Sequence, residues 1–147
     1  MKLDSPTGTI LYFIEKTIKE YRKLCQRNID KTGLDITVDQ TLLLIIINDN
    51  SKLSQKEMAE LLFKDYASVT RMIELMVKKD YLIREVNKND RRRFNLLISE
   101  KGRASLKALE PTIQENRSVA LHGLINEELI QMNTSLQKII ANCKISK

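Results

Sequence analysis

Two helix-start signals stand close together in the middle of the chain and leave room for only a short helix between them. Ser54-Gln55-Lys56-Glu57 is a capping-box pattern, in which the Ser hydroxyl and the Glu carboxylate satisfy exposed backbone N–H groups, and Leu53 and Met58 can form its hydrophobic staple. Asp65 offers a second N-cap directly before the run Tyr66 to Lys79. The first helix must therefore end near Phe63. The second runs to Lys78 and Lys79, which sit favourably at the negative end of its dipole. The segment thus reads as two helices joined by a turn of three or four residues.

The residues directly after this helix pair are strand-like. Leu82 to Val86 is rich in large and β-branched residues, and Arg92, Phe94, Leu96 and Ile98 recur with period two. Asn87, Lys88, Asn89 and Asp90 supply the turn between them. The hairpin is strongly basic. Of the formal net charge of +6, residues 51–110 hold 14 Lys or Arg against 9 Asp or Glu, while the rest of the chain holds 11 against 10. Concentrated positive charge favours polyanion partners.

Long helices flank this middle segment. Leu11, Ile14, Ile18, Tyr21 and Cys25 form one apolar stripe on a helix expected from about residue 8 to 29, and Gly33 breaks it. Thr37-Val38-Asp39-Gln40 is another capping box, and it decides that Leu42 to Ile47 is helix and not buried strand. Ser99 caps a helix containing Pro111, so a kink or break is expected near Glu110. A last helix starts at Asn126, with Glu127 and Glu128 in its first turn. Its residues Ile125, Leu129, Met132, Leu136, Ile139 and Cys143 form a heptad-like seam.

Several function classes drop out. The start, with Asp4 and Pro6, lacks the apolar region of a signal peptide, and the apolar run Leu42 to Ile47 is far below the roughly 20 residues needed to span a bilayer. No membrane partner and a soluble, cytoplasmic protein are the expectation. His122 is the only histidine and Cys25 and Cys143 the only cysteines, so neither a multi-histidine metal site nor a disulfide framework is expected. No phosphate-cradling glycine loop occurs. Neither catalysis nor a cofactor is expected.

At about 100° per residue, Tyr66, Val69, Met72, Ile73, Met76 and Val77 share one side of the Tyr66 to Lys79 helix and read as core. Ala67, Arg71, Glu74 and Lys78 lie opposite, flanked by Ser68 and Thr70. A small residue, hydroxyls and an Arg near a helix N-terminus suit a helix inserted in a major groove, where they meet base edges and phosphates.

The span Leu53 to Gly102 resembles the winged helix-turn-helix of the MarR family of bacterial transcription regulators. The sharpest match is Asp90-x-Arg92-x-x-x-Leu96-x-Ile98-Ser99-x-x-Gly102. Where many members have Lys-Arg-Gly-Leu before the wing, this chain has Lys79-Asp80-Tyr81-Leu82, with Asp in the tight turn. The resemblance implies a mainly α fold with a small β wing. It divides the chain into an N-terminal dimerisation helix (1–34), a DNA-binding lobe (35–100) and C-terminal dimerisation helices (101–147), as one compact unit.

Within that frame the DNA-binding candidates are Ser54, Gln55, Ala67, Ser68, Thr70, Arg71, Lys78, Lys88, Asp90, Arg91, Arg92 and Arg93. Ser68, Thr70 and Arg71 are expected in the major groove. Asp90 and Arg92, two apart on an extended chain, share a side, so the carboxylate can orient a guanidinium that enters the minor groove. Arg91 and Arg93 then project the other way, toward phosphates.

The resemblance further implies an obligate homodimer, for which Leu11, Ile14, Ile18, Leu129, Met132, Leu136 and Ile139 are the candidate contacts, although the two terminal stripes could instead pack on each other within one chain. It also implies a pocket for a small aromatic or amphipathic effector, to which Tyr12, Tyr21, Arg22 and Tyr66 are assigned. The expected function is a ligand-responsive repressor that binds a near-palindromic operator in double-stranded DNA. Two alternatives stay open: a redox regulator using Cys25 or Cys143, and a helical module whose wing contacts an acidic protein surface.

Overall fold

The computed structural model describes residues 5–90 and 94–145, apart from the side chain of Phe94. After one 3-10 turn (Pro6–Gly8) the order is α1 (Ile10–Lys31), α2 (Val38–Asp49), α3 (Gln55–Leu62), α4 (Tyr66–Lys78), β1 (Leu82–Val86), β2 (Phe94–Ile98), α5 (Glu100–Ala120) and α6 (Asn126–Lys144). The two strands form an antiparallel ribbon in which Leu82 pairs with Ile98 and Val86 with Phe94. The fold is mainly helical with a two-stranded wing, as the sequence predicts.

Local chemistry accounts for the boundaries. Thr37 Oγ1 accepts from the Gln40 N–H at 3.1 Å while Gln40 Oε1 accepts from the Thr37 N–H, closing the capping box that makes Leu42 to Ile47 helical. Ser54 and Glu57 repeat the arrangement at α3. At α4, Asp65 Oδ1 accepts from the Ser68 N–H at 2.7 Å. α1 ends at Lys31, and Gly33 comes next but one at φ +79°, a left-handed conformation that glycine adopts without penalty. Between α3 and α4 only Phe63, Lys64 and Asp65 remain, with Phe63 itself left-handed at φ 57°.

Residues 1–116 and 117–147 form two compact units. The first holds one core, built from Leu43, Leu44 and Ile47 of α2, Met58 and Leu62 of α3, Val69, Ile73 and Met76 of α4, and Leu109 of α5. Leu82, Leu96 and Ile98 carry it into the wing. Each such aliphatic side chain, fully buried, stabilises the fold by about 1.5–3 kcal/mol before entropy is counted. The second unit is mostly α6, none of whose side chains is fully buried. Ile130, Met132 and Ile140 are exposed, while Leu129, Leu136 and Ile139 are half-buried.

Two sequence expectations need correction. Tyr66, placed with the core face of α4, is exposed, because it is the first residue of the helix and lies beyond the edge of the packed layer. Of the kink or break expected near Glu110, the break does not occur, since α5 runs through Pro111. Pro111 and Lys107, whose carbonyl loses its partner to the proline, are both on the exposed side, where water can satisfy that carbonyl.

Candidate nucleic-acid interface

α4 is seated by one face only. Val69, Ile73 and Met76 are buried, while Ala67, Arg71, Glu74 and Lys78 are exposed and Ser68 and Thr70, half-buried, lie on the two flanks. The outward set predicted from the sequence therefore shares one accessible face. Its hydroxyls are tethered. Arg71 Nη2 donates to Ser68 Oγ at 3.2 Å, and the Thr70 hydroxyl donates to the Tyr66 carbonyl at 3.0 Å while accepting from Gln55 Nε2. Gln55, half-buried at the start of α3, thus braces the first turn of α4.

The wing stands on a dense polar base. Ser99 Oγ donates to the Asp80 carbonyl and accepts from the Gly102 N–H at 3.0 Å, so one hydroxyl closes the α4–β1 turn and caps α5. Asp80 takes the left-handed conformation, φ 65°, in the tight turn where the sequence places an Asp. Tyr81, buried, donates from its hydroxyl to the Asp35 carbonyl at 3.1 Å, while Lys79 Nζ reaches the Asp35 carboxylate at 3.1 Å. Burial, and to a lesser extent the Asp35 charge, raises the Tyr81 pKa above that of an ordinary phenol. Lys101 caps the same cluster, donating to the Lys79 carbonyl at 2.8 Å with its Nζ 4.7 Å from the Tyr81 ring centroid.

At the turn itself Asn87 Oδ1 accepts from the Asn89 N–H at 2.9 Å, the Asx arrangement expected of this residue type. Lys88 and Asp90 are exposed there. Arg91, Arg92 and Arg93, with the expected pairing of Asp90 to Arg92 and the inward turn of Phe94, lie outside the described residues.

Sequence reasoning missed a charged knot behind α4. Asp39 of α2 pairs with Arg22 of α1 and, at 3.0 Å, with Lys64 of the α3–α4 turn, tying three elements together. Burial pushes the Asp39 carboxyl up, but hydrogen bonds and charge from Lys64 and Arg22 outweigh it and hold the pKa below the usual carboxylate value. Since the folded-state pKa lies below the unfolded one, the stabilisation is present above the ordinary carboxylate pKa and is lost as pH falls through the folded value. Asp39→Asn is expected to lower the melting temperature near neutrality, with the gap to wild type narrowing as the pH falls below about 5. A gap that stays constant over that range would remove Asp39 from the acid response.

Two clefts meet at this knot and share Thr37 and Asp39. One, of about 270 Å³, runs between α2 and α4 past Gln40, Lys64, Ser68 and Arg71. The other, of about 470 Å³, lies between α1 and α2 and is lined by Lys19, Arg22, Lys23 and Gln26. Of the four residues assigned to an effector pocket, Arg22 lines the second cleft and Tyr12, Tyr21 and Tyr66 line neither. Cys25 is half-buried on α1 and Cys143 is exposed on α6. Among the described residues no cluster of His, Cys, Asp or Glu could hold a metal ion, and no helix is long and apolar enough to cross a membrane.

Comparison with known proteins agrees with this geometry. The family model described as MarR family matches residues 34–93, the span from the α1–α2 loop to the wing. The HTH-type transcriptional regulator SarZ of Staphylococcus aureus is 30% identical over 70 residues, covering 48% of this chain and 47% of that protein. The chain thus spans about half the length of the curated relatives it matches. Among solved structures, a mutant Escherichia coli MarR complexed with operator DNA superposes with a TM-score of 0.81 at 22% identity, covering 93% of this chain and 99% of that one. The S. aureus MepR–DNA complex gives 0.82 at 22% identity, with 91% and 98% covered. Residues 34–93 thus match the MarR family model in sequence, and over nearly its whole length the chain has the fold of the MarR-like winged helix-turn-helix proteins.

Proposed function

We propose that this protein is a sequence-specific DNA-binding transcriptional regulator that grips a near-palindromic operator as a homodimer and is released by a small ligand. The observation that carries the reading is the accessible face of α4, with Ala67, Thr70 and Arg71 toward its N-terminal end, beside a wing in the segment that holds most of the net positive charge. α4 enters the major groove. Arg92 reaches into the minor groove, Arg91, Arg93 and Lys88 meet phosphates, and Ser54 and Lys78 flank the duplex backbone. The relatives solved with DNA support this assignment by fold.

Exposed apolar side chains on the terminal helices support the homodimer: Leu11 and Ile18 on α1, and Met132 and Ile140 on α6. The cleft between α1 and α2, with Lys19, Arg22 and Lys23 around it, supports an effector that is a small aromatic or amphipathic anion. Such a ligand acts only if it binds the DNA-competent and DNA-incompetent conformations unequally.

Electrophoretic shift assays over a salt series test the reading. Specific binding is expected to weaken by about a thousandfold or more between ~50 and ~200 mM salt if some six phosphates are contacted. Arg92→Ala is expected to weaken operator binding by roughly tenfold or more with an unchanged melting temperature. A protein that binds duplexes without sequence preference, or none at all, is not this regulator, and unchanged affinity in Arg92→Ala would remove the minor-groove assignment.

A further inference from the structure

Resting on the DNA-binding reading above, we propose that Gln55 and Thr70 act as one specificity device, whose hydrogen-bond donors are turned inward so that it selects a thymine–adenine pair through a methyl group and an acceptor. Gln55 is the first residue of α3, and Tyr66 and Thr70 stand one turn apart at the start of α4. Gln55 Nε2 faces the Tyr66 carbonyl at 3.4 Å and also donates to Thr70 Oγ1. The Thr70 hydroxyl in turn donates to the same Tyr66 carbonyl at 3.0 Å.

The chemistry fixes the direction of each bond. A backbone carbonyl can only accept, so the face of the Gln55 amide toward Tyr66 must be its NH2 group. A threonine hydroxyl has one proton, and it is spent on that carbonyl, so toward Gln55 the oxygen must accept. Neither residue keeps a donor to present to DNA. What the pair can still offer is the Gln55 amide oxygen, an acceptor, and the Thr70 methyl.

Base edges in the major groove discriminate sharply between these remainders. A thymine–adenine pair displays a C5-methyl and an N6 amine, which match a methyl and an acceptor. A guanine edge displays O6 and N7, both acceptors, and gives the Gln55 oxygen no donor, whereas the N4 amine of cytosine would suit that oxygen, so against cytosine the missing C5-methyl decides. The usual two-point reading of adenine by glutamine needs the amide N–H on N7. Here that N–H is committed to α4, so the recognition is one-point and leans on the methyl contact. Gln55 is then chiefly a positioning residue, and Thr70 the group that touches the base.

The test uses the tightest duplex that the wild-type protein selects from a random 20-base-pair library. Each thymine of that duplex is replaced in turn by deoxyuridine, which removes only the C5-methyl. Wild-type protein is expected to lose about fourfold in affinity at one thymine per half-site, the worth of one buried methyl. Thr70→Ser, which lacks the methyl, should bind the thymine and uracil duplexes equally at that position, and Thr70→Val, which keeps the methyl and lacks the hydroxyl, should retain the discrimination. If no thymine shows a loss that depends on residue 70, or if Thr70→Val loses the discrimination and Thr70→Ser keeps it, the device is overturned while the DNA-binding reading stands. If wild-type protein selects no duplex at all, both fall together.

Discussion

Gly102→Ala is expected to destabilise the fold by about 2–3 kcal/mol, an overpacking cost that for a chain of this length lowers the melting temperature by roughly 6–10 °C. The first turn of α5 presses directly on the strand that precedes it. A Cβ at residue 102 would stand 2.4 Å from the Tyr81 carbonyl oxygen and 2.7 Å from Ile98 Cγ2. Neither neighbour yields easily. The Tyr81 carbonyl accepts the Ser99 N–H at 3.1 Å, and Tyr81 is anchored by its buried ring and its hydroxyl bond to Asp35. Ile98 is a buried member of the core. Gly8→Ala is the matched control, since nothing lies within 4 Å of a Cβ placed there. Thermal or urea denaturation decides it: a Gly102→Ala variant within about 0.5 kcal/mol of wild type would mean that α5 can move away from β2 at little cost.

The same contact shows what the sequence could and could not reveal. Ser99 and Gly102 were legible as the end of the wing and the start of a helix, because capping and turn chemistry are local and act through residues three apart. So were both capping boxes, the three-residue turn before α4, and the alternation of Leu96 and Ile98 into the core. The reason for glycine at 102 was not legible, since the Tyr81 carbonyl comes from another element. In the sequence Asp39 is only an interior position of the Thr37-Val38-Asp39-Gln40 capping box. That it holds Arg22 and Lys64 together depends on the packing of α1 and of the α3–α4 turn around it, and no periodicity encodes that meeting. Tyr66 failed for a related reason. A helical wheel assigns it a direction, but burial also depends on how far along the helix the packed layer reaches, and at the first residue it has already ended. Gln55 and Thr70 were visible as polar residues near a helix start, but their bond to each other, which decides what they can offer DNA, was not.

Placing aspartates at Met132 and Leu136 together is expected to convert a dimer into monomers and to weaken operator binding by about a hundredfold or more. The positions are chosen from the heptad-like seam of α6, where Met132 is exposed and Leu136 half-buried within a single chain. On the proposed homodimer, their methylenes are covered by a partner, and two carboxylates brought there would have to be desolvated without a cation opposite them. Separation of the subunits then removes the bivalent grip. Two recognition helices held about 34–36 Å apart read successive major-groove faces at once, and linking two modest contacts in this way raises affinity by roughly 10²–10⁴ over either alone. Sedimentation shows whether the variant is monomeric, circular dichroism whether α6 is retained, and shift assays on full and half operators whether only the bivalent component is lost. A variant that stays dimeric means that this seam is not the contact. A monomer that binds the full operator as tightly as wild type means that the twofold arrangement contributes nothing to recognition. If instead half-site binding is preserved while full-site binding collapses toward it, the terminal helices act by setting the spacing at which two copies of α4 meet the duplex.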